Sequence, residues 1–393
     1  MTDWGLLDPG AADTIGTEDD AVLAAMVQVE CALLRAWGSE LDESLDAQAD
    51  ALDAAALDPA ALVAGVTRDG VPIVALVPAL RAQLDAAGLA SDRLHLGATS
   101  QDVLDTALML VARDALRATR VSLVEVGERL AQLADAERQG LRIARSIARH
   151  AEASTIGVLA AGWLDGVSSA IEVIDTLGFP VQFGGAVGTG TAADAAAGRP
   201  GVGEAVRAEL AAQLLLDDPH RSWHVERTPV LAIAAASATV VGALARIADD
   251  ATFLSREELG EVRLAGGGGS SAMPHKRNPV DAVAITAAAV EAPGLLQVVA
   301  SAAIAGDERS SGRWHAEWVP FRRLVRLARS ASGAAARLVG GLEFDSDRAG
   351  RTLAGSGPAG ERPDRRVLAA ASDRIVDRAV ARFTTVCEES PHP

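Results

Sequence analysis

One stretch limits the folds open to this chain. From Gln101 to about Arg138, apolar residues recur at the three- and four-residue steps of a helix, over some 37 residues. At 1.5 Å per residue such a helix is about 56 Å long, which exceeds an ordinary globular helix. Its apolar face cannot be covered inside a small monomer, so the pattern predicts an all-α, elongated helical bundle. Gly140 interrupts the pattern. Further stretches of helical period cover residues 19–37, 156–177, 228–259, 280–304 and 315–341, and a short last helix is expected over 365–386. In the first of these, Val22, Met26, Val29, Leu33 and Leu34 fall on one face. Strand patterns are scarce, with Val181-Gln182-Phe183 a short β-like run before a Gly-rich loop. No repeat of fixed period is present. Three loops break the helical pattern: Gly184 to Gly198, Leu264 to Pro279 with its four consecutive glycines, and Ala354 to Asp364 with Gly355, Gly357, Pro358, Gly360 and Pro363. The expected organisation is an N-terminal helical domain (1–92), a central long-helix domain (93–343) and a short C-terminal helical segment (344–393).

Composition removes several classes of function. The 393 residues carry 36 basic and 53 acidic side chains, a net charge of −17. That balance disfavours a protein that tracks nucleic-acid phosphates or binds an anionic membrane surface. The apolar fraction of 49% is that of a folded chain rather than a disordered one. Cys31 and Cys387 are too few and too far apart for a disulfide framework or a metal cluster, and the seven histidines show no metal-ligand spacing. No dinucleotide fingerprint and no Gly-x-Ser-x-Gly elbow occurs, so no cofactor and no metal are expected. Met1-Thr2-Asp3-Trp4 lacks the basic and apolar regions of a secretory signal. No apolar run of about 18 residues is apparent, so a cytoplasmic protein without a membrane partner is expected. One count stands out: Lys276 is the only lysine among 36 basic residues. In a chain biased so far toward arginine, a retained lysine points to a place that needs a compact point charge.

Five segments could carry chemistry. Gly266 to Pro279 combines four glycines, Ser270, Ser271, Lys276 and Asn278, and Asn278-Pro279 reads as the N-cap and first residue of a helix. A mobile, amide-rich loop beside a lysine and a helix start attracts anions, although a plain hinge before a capped helix has the same look. His95-Leu-Gly-Ala-Thr-Ser-Gln-Asp102 places Thr99 three residues before Asp102, a capping box opening the long helix. Its hydroxyl and amide groups either cap only or also receive a carboxylate. Arg145 to Glu152 clusters cations, which usually marks a solvated basic face. Asp307 to Trp318 carries two tryptophans four apart, a spacing common in cores. Trp223-His224-Val-Glu-Arg227 is ambiguous alone.

Taken together, these segments resemble the fumarase/aspartase superfamily, an all-helical group of homotetrameric lyases and cycloisomerases. Gly269 to Pro279 (GSSAMPHKRNP) is similar to its signature loop, His95 to Asp105 to a second region, and Ser146 to Gly157 to an altered third. The likeness spans roughly residues 20–345. Within the superfamily it is nearest the 3-carboxy-cis,cis-muconate cycloisomerase group, through residues 97–110 (GATSQDVLDTALML), 182–189 (QFGGAVGT) and 314–318 (WHAEW). Adenylosuccinate lyases carry a serine and an arginine five and nine positions after the arginine matching Arg309. Trp314 and Trp318 stand there in this chain, which removes groups suited to a nucleotide phosphate. Those lyases also carry a histidine where Ile147 stands.

The resemblance implies a homotetramer with a shared central bundle, no cofactor, and a small polycarboxylate substrate. It implies that Ser270 moves a proton at the carbon beside a carboxylate, with His150 a second catalytic group. Lys276 and Asn278 would hold that carboxylate, and Thr99, Ser100 and Gln101 a second one. His95, Arg227 and Arg309 would add polar support, with Ser146 and Arg149 also at the substrate. Relatives read Thr-x-x-Gln-His where this chain has Ser146-Ile147-Ala148-Arg149-His150, so Arg149 adds a positive charge. The full C-terminal helical domain of relatives is here reduced to about 50 residues after Leu342, ending in residues 371–383, which look like the group's last helix. The implied activity is closure of 3-carboxy-cis,cis-muconate to its carboxymuconolactone. A carbon–nitrogen or carbon–oxygen lyase acting on a succinyl-type substrate is the alternative, and a non-catalytic structural protein on this scaffold is a third reading.

Overall fold

The long helix forms as its pattern dictates. In a computed structural model that describes residues 6–14, 16–357 and 364–388, it runs from Ser100 to Ala136, 37 residues or about 55 Å. Thr99 and Asp102 make the expected capping box at its start. Pro358, Gly360, Pro363 and the Met1–Trp4 segment lie outside the described residues.

In chain order the helices are α1 (Asp19–Leu41), α2 (Asp46–Asp50), α3 (Pro59–Asp69), α4 (Ile73–Ala86), α5 (Ser100–Ala136), α6 (Ile156–Asp175), α7 (Thr191–Ala197), α8 (Val202–Leu214), α9 (Thr228–Leu254), α10 (Val280–Ala302), α11 (Arg313–Gly340), α12 (Ser346–Ala354) and α13 (Arg365–Glu388). Two small antiparallel pairs accompany them: β1 (Leu141–Ser146) with β2 (Arg149–Thr155), and β3 (Val262–Leu264) with β4 (Leu342–Phe344). Val181-Gln182-Phe183 is not a strand. Its groups are taken one by one by neighbours, with Trp223 Nε1 donating to the Val181 carbonyl at 2.8 Å and the Gln182 amide to Thr106 Oγ1 at 2.8 Å. Asn278 does not cap α10 either. It pairs with Gly268 across the loop, and Pro279 takes the cap position.

α5, α9, α10 and α11 pack side by side, and α6 covers α5 and α9. α5, α9 and α11 begin at one end of this bundle, where Arg227, Asp105, Trp314 and Arg309 meet. α10 begins at the other end, where the two strand pairs lie. The core is continuous from α1 through α11 and includes the fully buried Trp37, Trp163 and Trp223. α1 packs on α5 and α8, so residues 1–92 are joined to the bundle rather than set apart. The C-terminal α13 lies along α5 and α6. Phe383 covers Gly127, where an added Cβ would come within 2.1 Å of the ring. Arg382 pairs with Glu172 at 2.8 Å, and Ser372 donates to the Arg138 carbonyl at 2.7 Å.

One expectation fails here. α1, α6, α9 and α10 each hold an 18-residue window long and apolar enough to cross a membrane by length and composition. Alanine counts as apolar on every face of a helix, so core helices of this chain reach that level without a long run of large side chains. At least half of the window is buried in α1, α6 and α9, but only 28% in α10. Val283 and Val290 of α10 are 56% and 78% exposed, an apolar face turned outward.

The docking of α13 generates a stability prediction. Phe383→Ala should cost about 3 kcal/mol, the usual loss for an aromatic ring removed from a packed site. Gly127→Val should cost about 1–3 kcal/mol by forcing that ring away. Urea unfolding reads both, and hydrogen exchange over 365–388 should speed up in each.

Candidate active site

The start of α5 is built from beneath. Asp102, 2% exposed, accepts hydrogen bonds from the amides of Thr99 at 2.9 Å, Gly184 at 3.0 Å and Gly185 at 2.9 Å, and faces His224 Nε2 at 2.7 Å. Gly185 sits at φ +70°, and a Cβ there would meet the Gly97 carbonyl at 2.9 Å, so glycine is required. Arg309 donates to Thr99 Oγ1 at 2.8 Å and to the Ala186 carbonyl at 3.2 Å. With its oxygen engaged as an acceptor, the Thr99 hydroxyl is left to donate outward. Thr99 and Ser100 are half-buried at this helix start, where amide dipoles favour an anion.

A second layer lies one turn deeper. Arg227 makes a two-pronged pair with Asp105, at 2.7 and 3.1 Å, and also grips Glu317. Its guanidinium lies 4.8 Å from the Trp223 ring centre, and Trp314 Nε1 donates to Asp105 at 2.9 Å. Burial pushes the Glu317 carboxyl up to about 7, with the Asp105 charge adding and Arg227 offsetting part of the rise. The Arg227 charge is favoured: burial opposes it, but Asp105 and Glu317 together outweigh that cost. Arg227 thus supports the α5 start from below, its buried guanidinium taken up by Asp105 and Glu317. Gln101 is also fully buried, its amide donating to Asp105 and to the His224 carbonyl. The expected contact of Gln101 with a carboxylate is not what the structure shows. His95, in the left-handed region at φ 62°, pairs through Nδ1 with the buried Glu30 at 2.6 Å. Burial lowers its pKa, but the Glu30 hydrogen bond and charge win and the net shift is upward.

The other expected residues lie elsewhere. Ser146, Arg149 and His150 are exposed at the β1–β2 hairpin, with Ser146 opposite Arg149. The two tip residues, Ile147 and Ala148, are both left-handed at φ 50° and 58°, the geometry of a tight two-residue turn normally made by Asn-Gly. Arg145 anchors the hairpin to Glu261 at 2.6 Å. In the 264–279 loop, Gly268 and Asn278 exchange backbone hydrogen bonds at 2.9 Å, and the Asn278 side chain donates to the Gly269 carbonyl at 3.2 Å. Ser270 Oγ accepts the amides of Ala272 at 3.4 Å and Met273 at 3.1 Å. Lys276 is exposed. A cleft of about 410 Å³ lies on the inner side of this loop, against Arg263, Asn278 and Asp281.

The hairpin and the Ser270 loop lie at one end of the bundle, and the α5 start with Arg309 lies at the other. The 37 residues of α5 put about 55 Å between Thr99 and the hairpin. The 23 residues of α10 put about 35 Å between the Ser270 loop and the Arg309 end. No single chain brings the two ends together.

Comparison with known proteins identifies the family and the fold. A lyase family profile matches residues 24–294. The nitrosuccinate lyase of Streptomyces davaonensis is 40% identical over 362 residues, 88% of this chain and 76% of that one. The 3-carboxy-cis,cis-muconate cycloisomerase of Pseudomonas aeruginosa is 38% identical over 303 residues, 75% of this chain and 65% of that one. The crystal structure of the 3-carboxy-cis,cis-muconate lactonizing enzyme of Pseudomonas putida superposes with a TM-score of 0.80 at 30% identity, covering 97% of this chain and 88% of that one. The chain belongs to the fumarase/aspartase superfamily. It is an enzyme of that superfamily, and the helical architecture expected from the sequence is the superfamily's fold.

In this superfamily enzyme the sequence motifs mark the surface of the candidate site better than its foundation. Asp105, Glu317, Glu30 and His224 build the site from beneath, and no motif singles them out for that role. Glu317 lies inside WHAEW and His224 beside a tryptophan, but a lone carboxylate or imidazole carries no sign that it is buried.

The Glu317 carboxyl sets a pH dependence. Its pKa rises on folding, from the ordinary 4.5 to about 7. Between those values the folded state holds a proton that the unfolded chain has lost, so stability falls as pH rises through that window and levels off above it. Glu317→Gln should remove this slope. The difference in melting temperature between the two proteins, measured from pH 4.5 to 8, should shift toward the variant as pH rises; parallel curves would refute the assignment.

Proposed function

We propose that this enzyme is a cycloisomerase closing 3-carboxy-cis,cis-muconate to its lactone. The observation that carries the chemistry is the setting of Ser270. Two backbone amides donate to its Oγ, and Lys276 shares the loop. Donors aimed at a hydroxyl oxygen favour its alkoxide, which is what a serine needs to exchange a proton with carbon. In the ring-closing direction, an internal carboxylate oxygen of the substrate adds to the conjugated double bond. One carbon–oxygen bond forms, and the π electrons move into the neighbouring carboxylate as a dianionic aci-carboxylate. The Ser270 hydroxyl then gives its proton to the adjacent carbon and is restored from solvent. Lys276 and the loop amides stabilise the dianion, and the α5 start with Thr99 and Arg309 receives a second carboxylate. Trp314 and Trp318 stand where a nucleotide-phosphate site would need polar groups, which supports a small substrate.

A second reading has a specific observation behind it, the 40% identity to a nitrosuccinate lyase across 88% of the chain. The same Ser270 would then remove a proton beside a carboxylate, and the carbon–nitrogen bond on the next carbon would break with release of nitrite. Loss of the triacid's ultraviolet absorbance and release of nitrite from nitrosuccinate separate the two. Turnover of the triacid with no nitrite release is expected, and the reverse result overturns the cycloisomerase reading.

The segments are shared between copies in a homotetramer, and the outward apolar face of α10 supports a buried interface there. Ser270→Ala and Arg309→Met should each be inactive alone. Mixed under verified subunit exchange, they should regain part of the activity, because some sites then hold both native residues. No recovery would count against sites shared between subunits.

Lys276→Arg keeps the charge but replaces a point charge by a planar fork. It should fold and assemble normally, yet lose about a hundredfold in turnover, the usual effect of losing one oriented contact to transition-state charge. Ser270→Ala should lose more. Near-normal turnover of Lys276→Arg would remove the anion-binding role assigned to this loop.

A further inference from the structure

His224 holds the α5 start by two routes. It is 4% exposed, and its Nε2 lies 2.7 Å from Asp102 Oδ1. Its carbonyl accepts the Gln101 amide at 2.9 Å. Asp102 in turn accepts the Gly184 and Gly185 amides, the first turn of a loop that closes on itself through Gly190 N–H to the Gly184 carbonyl at 2.9 Å. The same loop offers its Ala186 carbonyl to Arg309, which also holds Thr99. So loop 184–190, Asp102, His224 and the start of α5 form one ring of hydrogen bonds.

The other ring nitrogen of His224 has no partner. Nδ1 is buried and without a hydrogen bond. When a neutral imidazole donates through Nε2, Nδ1 is left an acceptor, and a buried acceptor without a donor is unfavourable. It faces the loop: a Cβ on Gly188 would lie 3.6 Å from Nδ1 and 3.1 Å from Ser222 Oγ, and Gly188 sits at φ +79°. Glycine is favoured there by the left-handed backbone and the close Ser222 hydroxyl, and the loop backbone lies beside the imidazole.

We propose that His224 is a positioning residue that sets loop 184–190 against the first turn of α5, through the Nε2 contact with Asp102, which itself holds the Gly184 and Gly185 amides. The carboxylate-binding face at Thr99 and Ser100 then depends on a side chain that never touches the substrate. This rests on the reading that the α5 start receives a substrate carboxylate.

Two amide variants separate position from packing. The Gln amide nitrogen reaches the place of Nε2, and the Asn nitrogen stops near that of Nδ1. His224→Gln should keep the Asp102 contact, with KM within about threefold of wild type. His224→Asn should lose it, raising KM at least about tenfold, the loss of one hydrogen bond, with kcat changed less than about threefold. Hydrogen exchange over 183–190 in the ligand-free enzyme should be faster in His224→Asn than in His224→Gln. Equal KM and equal exchange in the two variants overturns the proposal. So does a shared loss of folding or assembly, which would make His224 a packing residue. If the wild-type enzyme turns over neither the triacid nor nitrosuccinate, the functional reading has failed, and the exchange difference alone decides the role of His224.

Discussion

A single guanidinium organises one end of this molecule. Arg227 precedes α9, Asp105 stands in the second turn of α5, and Glu317 stands in the second turn of α11. Bonded to both carboxylates, Arg227 fixes the starts of three long helices relative to one another. Burying such charges is costly, and an apolar cluster of similar volume would hold the helices at least as firmly. What the charged knot adds is direction. Two carboxylates and one guanidinium satisfy each other in few arrangements, and the Trp314 indole and the Gln101 amide complete them. The face above it, the helix start at Thr99 and Ser100, inherits that definition.

The second constraint is length. Helices of about 35 to 55 Å separate the chemistry-bearing segments too far for one chain to unite them. The same length leaves an apolar face on α10 uncovered. Both features are what the proposed association of copies would answer, by covering that face and bringing one chain's hairpin and glycine loop to another chain's α5 start. α13 adds a buttress along α5 and α6, through Phe383 over Gly127 and Arg382 on Glu172.

Charge is distributed with the same logic. The chain is strongly acidic overall, yet the two segments assigned to an anionic substrate each carry several cations. The hairpin carries Arg142, Arg145, Arg149 and His150, and the loop carries His275, Lys276 and Arg277. Burial, with Arg145 nearby, lowers the pKa of Arg142 from its ordinary value, as expected where like charges are crowded. Net charge governs solubility and steering, whereas binding follows the local field.

Much of this was legible in the residues themselves. The 3.6-residue period gave α5, α6, α9, α10, α11 and α13 to within a few residues, because helix formation is local and the apolar stripe is long. The Thr99–Asp102 box was readable because both partners lie within one turn. The Ser270–Lys276–Asn278 loop was readable because glycines, hydroxyls and a lone lysine form an uncommon string. Other features were decided by contacts between distant residues. Val181 to Phe183 has the composition of a strand, but Trp223 and Thr106 take its backbone groups and no strand forms. Gln101 looked like a substrate ligand from its place beside Thr99, yet the helix rotates it inward onto Asp105. Arg227, Asp105 and Glu317 are up to 212 positions apart in the sequence, and no local pattern records that they share one buried site. The sequence determined the long helices and marked the loops where glycines, hydroxyls and cations concentrate. Only the tertiary structure decided which charges are buried against one another, since that depends on helix rotation and on which ends of the bundle meet.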